Sequence, residues 1–315
     1  MQSVSLGLAH YYTSSMPQNR ELIDNPRSQR IRHVAELSDR RYRKRYGRFL
    51  VEGPQSVREA VACVPHCLSD IYAEVHSSGS LQPVSTVVAQ ILNQAMEQAP
   101  DTYIHYVSKR AIQAISKDAQ GIVAVGKLSP IATSLDTLEA DLDSLSPGWA
   151  EPFNVAALWQ VRDPGNAGTI IRTADAAGVQ ALLLVDDCVD PYNPKVVRST
   201  AGSIFHIPII QVSTEGFFSW AQERELPIVA ADVYGTAERS PVDLRTFVRQ
   251  RKEASTDRQV ILFGNEARGL PEEILKQADQ IVSIPIFGKA ESLNLATSAA
   301  VMLYTLSMSS RLERM

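Results

Sequence analysis

Cysteine is scarce in this chain: three residues among 315, Cys63, Cys67 and Cys188. An odd, sparse set cannot form a disulfide framework and fits a reducing compartment. The segment Cys63-Val64-Pro65-His66-Cys67 gathers metal-binding side chains, but a structural zinc site wants four ligands and no second pair lies near, so no metal is expected. No apolar run approaches the roughly 20 residues needed to cross a bilayer. The opening MQSVSLGLAHYYTSSMP lacks the basic start and apolar stretch of a secretory signal, and a cytoplasmic protein is expected. The glycine fingerprints of dinucleotide-binding and phosphate-cradling loops are missing too, which disfavours NAD and nucleoside triphosphates as ligands.

What is present is ordinary in bulk and uneven in distribution. Hydrophobic residues make up 44% and charged residues 21%, the balance of a soluble globular protein. The length exceeds what one core needs and implies two domains. A formal net charge of −4 argues against a phosphate-rich partner. Between Arg27 and Arg48, however, nine basic residues (Arg27, Arg30, Arg32, Arg40, Arg41, Arg43, Lys44, Arg45, Arg48) face only Glu36 and Asp39. Tyr42, Tyr46 and Phe49 are interleaved with them, a combination suited to stacking unpaired bases while arginines hold phosphates. A solvated helix face with snorkelling side chains is the commoner state of a charge run and stands as the alternative.

The first half reads as a small α/β domain: a basic helix, a strand over 48–52, a helix from Pro54, and strands at 70–75 and 121–125. Residues 1–20 read as a flexible leader. Residues 128–152 carry Asp136, Glu139, Asp141, Asp143 and Glu151 without lysine or arginine and read as the linker, although Leu135, Leu138, Leu142 and Leu145 are spaced for a short amphipathic turn. The expected division is therefore 1–127, 128–152 and 153–315. In the last part, apolar runs near 155–161, 181–185, 207–210, 228–231, 260–263 and 281–286 alternate with helical patterns, the rhythm of a parallel α/β sheet. Ligands of such sheets bind beyond the carboxyl ends of the strands, which directs attention to the loops there.

Three of those loops are unusual. Arg162-Asp163-Pro164-Gly165-Asn166 leads into a helix that carries Arg172 among small and apolar neighbours. Asn166 fits as that helix's cap, and Arg172 fits an ion pair with Asp175 as well as a functional role. Because six residues span about one and two-thirds turns, Asn166 and Arg172 meet only if Asn166 lies before the helix. Gly264-Asn265-Glu266-Ala267-Arg268-Gly269 follows an apolar strand, two glycines bracketing polar groups where backbone must approach something closely. Ile284-Pro285-Ile286 through Glu291-Ser292-Leu293-Asn294 opens the last helix, where Ser292 or Asn294 serves at least as a cap.

Taken together, N-x5-R, G-N-E-x2-G-L and I-P-x6-S-L-N resemble the three motifs of the SpoU (TrmH) family of RNA 2′-O-ribose methyltransferases, within the SPOUT superfamily. The segment from Asn25-Pro26-Arg27 to Phe49-Leu50-Val51-Glu52-Gly53 resembles the family's ribosomal-protein-like substrate-binding domain, so the likeness covers most of the chain. It implies an α/β fold: a C-terminal SPOUT domain with a parallel sheet and a deep trefoil knot, behind a smaller N-terminal α/β domain. It also implies S-adenosyl-L-methionine as cofactor, a homodimer, and cofactor contacts at Gly264, Asn265, Ile284 and Leu293. The catalytic set is Arg172, Asn166, Ser292, Asn294 and Glu266.

A guanidinium stays protonated and is a poor general base, so Arg172 is assigned to clamping the ribose-phosphate and easing alkoxide formation. Glu266 either holds the cofactor loop or accepts a proton, and the structural role is favoured. Arg27, Arg30, Arg40, Arg41 and Arg43 of the basic patch, with Lys195 and Arg198, are the candidate RNA contacts. The front domain favours 23S ribosomal RNA over transfer RNA as substrate. An antibiotic-resistance methylase has the same build. A catalytically silent RNA-binding protein is the rival from another class, and the presence of all four of Arg172, Asn166, Ser292 and Asn294 speaks against it.

Overall fold

The computed structural model describes residues 18–76, 81–129, 131, 133–138, 153–254 and 258–311. The chain divides into two compact units, Met1–Pro130 and Ile131–Met315.

The first unit runs β1 (Gln18–Ile23), α1 (Gln29–Ala35), α2 (Arg40–Tyr46), β2 (Arg48–Glu52), α3 (Pro54–Cys63), β3 (Leu68–Glu74), α4 (Thr86–Gln98), β4 (Tyr103–Val107), α5 (Lys109–Ile115) and β5 (Ile122–Lys127). Its sheet has the order β1-β4-β3-β5-β2, with β5 antiparallel to both neighbours and the other pairs parallel. Residues with period-2 spacing bury one face: Leu50, Tyr72, Val123 and Val125 pack with Ile31, Val34 and Ile112 from α1 and α5. Two strands were not foreseen. The end of the expected leader, residues 18–20, lies in β1, which needs β4 as its partner across more than 80 residues of sequence. β4 itself, Tyr-Ile-His-Tyr-Val, hides its signal because a histidine holds one of the inward positions, where it is 1% exposed. Cys67 is buried, and burial pushes its thiol up to about 12, so it sits as a small neutral core group.

The second unit runs β6 (Phe153–Trp159), α6 (Pro164–Ala176), β7 (Ala181–Val185), α7 (Pro194–Ser199), β8 (Ile209–Val212), α8 (Thr214–Glu223), β9 (Ile228–Ala231), β10 (Val242–Asp243), α9 (Leu244–Ala254), β11 (Arg258–Phe263), α10 (Glu272–Leu275), β12 (Gln280–Ser283) and α11 (Leu295–Arg311). All seven strands pair parallel in the order β10-β12-β9-β11-β6-β7-β8. The near-continuous apolar strands explain this, since a sheet covered on both faces has no polar side to show. At its centre Val260 lies opposite Val155 and Ile228. Parallel pairing sends the loops after β6, β9, β11 and β12 to one edge, and that edge carries the site. Helix α6 packs closely on α7 because Gly168 has no side chain: a Cβ there would strike Ser199 and come within 2.8 Å of the Val196 carbonyl oxygen.

The acidic stretch expected to be a linker departs from that reading at its start. Leu138 is 1% exposed and belongs to the apolar cluster of the second unit, with Leu135 packed against it. Residues 139–152, including Leu142 and Leu145, lie outside the described residues, as do 1–17 of the leader. Leu138→Ala should therefore lower the stability of the second unit by about 2–5 kcal/mol, read as a shift of the urea unfolding midpoint. A linker residue would leave it unmoved.

Candidate active site

The loop after β11 is closed on itself before it touches anything else. Asn265 and Gly269 exchange backbone hydrogen bonds, 3.1 Å and 2.8 Å long, and Gly269 completes the turn at φ +62°. The Asn265 side chain is consumed by the same turn: Oδ1 accepts from the amides of Ala267 (3.0 Å) and Arg268 (3.2 Å), and Nδ2 donates to the Gln160 carbonyl (2.7 Å). The sequence placed Asn265 among the cofactor contacts. The structure makes its side chain the frame of the loop, and the residue lines the cavity described below. Gly264 sits where the loop folds back, and a Cβ there would lie 2.7 Å from both the Gly269 oxygen and the Leu270 nitrogen, so only glycine fits without moving the backbone.

Glu266 reaches out of this loop to the start of α6. Its carboxylate accepts from the backbone amides of Asp163 (3.0 Å) and Arg162 (3.3 Å) and from Asn166 Nδ2 (3.4 Å). A carboxylate at a helix N-terminus is favoured by the unpaired amides and the helix dipole. These contacts tie the loop after β11 to the start of α6. The cap of α6, however, is Asp163, whose side chain accepts from the Asn166 amide at 2.8 Å; Asn166 lies inside the first turn. Asp163 before Pro164 carries the signal that should have identified it, since proline favours the first helical position behind an acidic cap.

Asn166 and Asn294 join the first and third loops. Asn294 Nδ2 donates to Asn166 Oδ1 at 3.1 Å, while Asn294 Oδ1 caps α11 by accepting from the amides of Ala296 (2.9 Å) and Thr297 (3.3 Å). One asparagine thus caps the last helix, as foreseen, and ties it to Asn166. Arg172 does not join this cluster. Six positions along α6 turn it about 120° away from Asn166 around the helix axis, and it stands exposed. Among the described residues it has no hydrogen bond or ion pair. Asp175, the neighbour proposed to tie it down, bonds His206 Nδ1 at 2.8 Å instead.

Between the second and third loops lies a cavity of about 410 Å³, walled by Gly264, Leu270, Ile284, Ser292, Leu293 and Met302 and closed on a third side by the 231–237 loop. Asp232 shapes that loop by accepting from the amides of Tyr234 (2.8 Å) and Gly235 (2.7 Å). No sequence motif marked it. Among the described residues, no hydrogen bond engages the backbone of Ile284, Ser292 or Leu293. A half-apolar hollow edged with uncommitted amide and carbonyl groups suits a nucleoside-sized ligand. The glycine at 264, the apolar walls and those free backbone groups fit S-adenosylmethionine, which residues 264–270 and 284–293 would hold.

The candidate RNA contacts are unequal. Lys195 is exposed on α7 and Arg198 is half-buried beside it. In the first unit Arg27, Arg30, Arg40 and Arg41 are exposed, Arg41 holding Asp39 at 2.7 Å. Arg43 has to be removed from the set. It is 2% exposed, and its guanidinium donates to the carbonyls of Leu37 (2.9 Å) and Ser38 (2.8 Å), pinning the turn before α2. Alternating sides of one short helix separate it from its neighbours, which a count of charges cannot see.

Comparison with known proteins agrees with this geometry. Residues 154–304 match the model of the SpoU rRNA Methylase family, and residues 28–124 match that of an MRM3-like substrate binding domain. The chain is 28% identical to the 23S rRNA (guanosine(2553)-2′-O)-methyltransferase RlmP of Bacillus subtilis, over 90% of this chain and 98% of that one. It is 31% identical to the 23S rRNA (uridine(2479)-2′-O)-methyltransferase of Streptomyces viridochromogenes, over 86% of each. Among solved structures it superposes on the AdoMet-bound rRNA methyltransferase of Sinorhizobium meliloti with a TM-score of 0.73 and 27% identity, covering 94% of this chain and 98% of the other. With three motif loops meeting at one sheet edge and relatives matched along nearly their full length, the chain belongs to the SpoU family of RNA methyltransferases.

Proposed function

We propose that this protein transfers a methyl group to a ribose 2′-hydroxyl of 23S ribosomal RNA, using S-adenosylmethionine held between the 264–270 and 284–293 loops. The observation that carries this reading is the glycine-lined cavity with uncommitted backbone at Ile284 and Leu293, set directly beside the Asn166–Asn294 pair. The cofactor supplies an electrophilic sulfonium methyl when bound. The chain's own work is positioning: Asn166, Ser292 and Asn294 orient the nucleotide, and Glu266 fixes the floor they stand on. Arg172 clamps the ribose-phosphate and favours the alkoxide by charge and paired hydrogen bonds. The 23S preference is supported by the front unit and by the substrates named for the relatives. Among the described residues no helix is long and apolar enough to cross a membrane, and the reading places the enzyme with its ribosomal substrate in the cytoplasm, working without a metal.

The reading includes a homodimer. Val301, Tyr304 and Met308 are 37%, 42% and 54% exposed along one face of α11, a stripe of apolar side chains spaced three and four apart. Helix α6 packs on α11 and carries the unpartnered Arg172. An isologous contact through this pair of helices covers the stripe and gives each Arg172 a place at a neighbouring site. The reading also includes the trefoil knot, with the 284–294 segment threaded under the 231–237 loop, and a linker within 128–152 that begins after Leu138.

Calorimetry should show S-adenosylhomocysteine binding to the wild type and at least tenfold weaker binding to Gly264→Ala, because the added methyl displaces Gly269 and Leu270; binding of NAD instead of either adenosyl ligand would overturn the cofactor. Arg172→Ala should lower kcat by about 10²–10³-fold while leaving cofactor affinity unchanged. Arg172→Lys should fail similarly, since an ammonium lacks the planar fork; assays on 23S and transfer RNA with mapping of alkali-resistant linkages check both, and a methyl on a base would refute ribose chemistry. Light scattering should give twice the 34.6 kDa chain mass for the wild type and a monomer for Tyr304→Glu/Met308→Glu.

A further inference from the structure

The first unit holds a second hollow, of about 730 Å³, beside α1, and none of its lining residues belongs to the three motifs. Its walls are chemically divided. On one side stand the His33 and Tyr46 rings, edge to face at 5.5 Å and bonded Nε2 to Oη at 3.2 Å, with Val34, Leu37 and Val125 continuing the apolar surface. Tyr42 stacks on Tyr46 with centroids 5.9 Å apart, so the aromatic surface continues out of the hollow along α2. On the other side are Arg30 and Arg48, and between them at the floor is Asp70, with Tyr72 beside it.

The floor is fixed by a buried histidine. Arg30 can only donate, so its Nη1, 3.0 Å from His105 Nδ1, makes that nitrogen the acceptor and places the ring proton on Nε2, which donates to Asp70 Oδ1 at 2.9 Å. Ser69 donates to Asp70 Oδ2 at 2.8 Å, and Arg48 lies 3.8 Å from the same oxygen. His105 is clamped between the Tyr72 and Tyr103 rings at 4.6 and 4.7 Å. Burial pushes the Asp70 carboxyl up, but the hydrogen bonds from His105 and Ser69 outweigh it and hold the group below the usual carboxylate range. The hollow is thus a preorganised acceptor floor with cationic shoulders and a stacking wall.

We propose that this hollow is a subsite for one unpaired nucleobase of the RNA substrate, stacked on Tyr46 with His33 beside it, its N–H edge toward Asp70 and its phosphate at Arg48. The carboxylate decides the orientation: it repels a phosphate from the floor and offers base N–H groups an acceptor, so the anion stays at the rim. Base stacking on an aromatic ring and phosphate contacts to flanking arginines together favour a single strand over a duplex, whose bases are already stacked. The proposal rests on the RNA-methyltransferase reading and adds a second grip on the same molecule.

The test uses the full chain and an eight-nucleotide single-stranded RNA carrying 4-thiouridine. Tyr46→Leu and the pair Arg30→Gln/Arg48→Gln should each weaken binding by about tenfold or more, raise KM for ribosomal RNA with kcat unchanged, and leave S-adenosylhomocysteine affinity unaltered. Arg40→Gln/Arg41→Gln removes equal charge outside the hollow, and its effect should vanish at high salt while that of Tyr46→Leu persists. Crosslinks should map to peptides containing Tyr46 or Tyr72. Unchanged affinity and KM in Tyr46→Leu, or crosslinks confined to other segments, would overturn the subsite while the enzyme still methylates. A wild type that neither binds this RNA nor methylates ribosomal RNA would overturn the parent reading.

Discussion

One carboxylate holds the active site together. Glu266 leaves the loop after β11, takes the backbone amides at the start of α6, and touches Asn166, which in turn holds the cap of α11 through Asn294. Three segments, the first about a hundred residues or more ahead of the other two in sequence, are tied by one hydrogen-bonded chain at the sheet edge. The groups bound by Glu266 would otherwise be orphan amides at a helix terminus, so the contact satisfies the helix and fixes the site in the same stroke. Removing the carboxylate would leave the loop, the helix start and the two asparagines free to settle separately. Position along the sequence matters less here than the parallel pairing that sends every loop to one edge.

Much of this was legible beforehand, and the reasons differ by element. The strands of the second unit announce themselves because both faces are buried, so apolar runs such as Ala181–Val185 and Ile228–Ala231 need no phase to be recognised. The motif residues in the loops drew notice for their glycines and asparagines. What escaped notice was pairing chemistry. The resemblance put Asn265 among the cofactor contacts but did not show that its side chain also frames its own turn. Asn166 looked like the cap, yet Asp163 three residues earlier has the extended backbone a cap requires. The 231–237 wall of the cavity has no motif, since its shape comes from Asp232 bonding its own backbone.

The basic patch shows the same limit from the electrostatic side. Nine like charges in a short stretch read as one surface, yet the structure divides them among different tasks. Arg43 props the main chain, Arg41 is held by the carboxylate that caps its own helix, and Arg30 reaches a buried histidine. Net charge therefore overstates what is free to meet phosphate. The aromatic residues threaded through the patch, Tyr42 and Tyr46, give it a character beyond charge, since stacking survives ionic strengths that screen arginines.

The strand order also carries a consequence for how the protein emerges from the ribosome. In the second unit β6 has β7 beside it early, but its other neighbour, β11, begins about a hundred residues later, and β9 pairs only with strands that follow it. During synthesis the first three strands have one another, while β9 waits as an unpaired apolar strand until residues 258–283 arrive. The edge that carries the candidate site is consequently completed only once residues 258–283 have been made. Any truncation that removes β12 and α11 costs the site as a whole and exposes an adhesive sheet edge, so nascent chains of this enzyme have reason to need shielding until those elements have emerged.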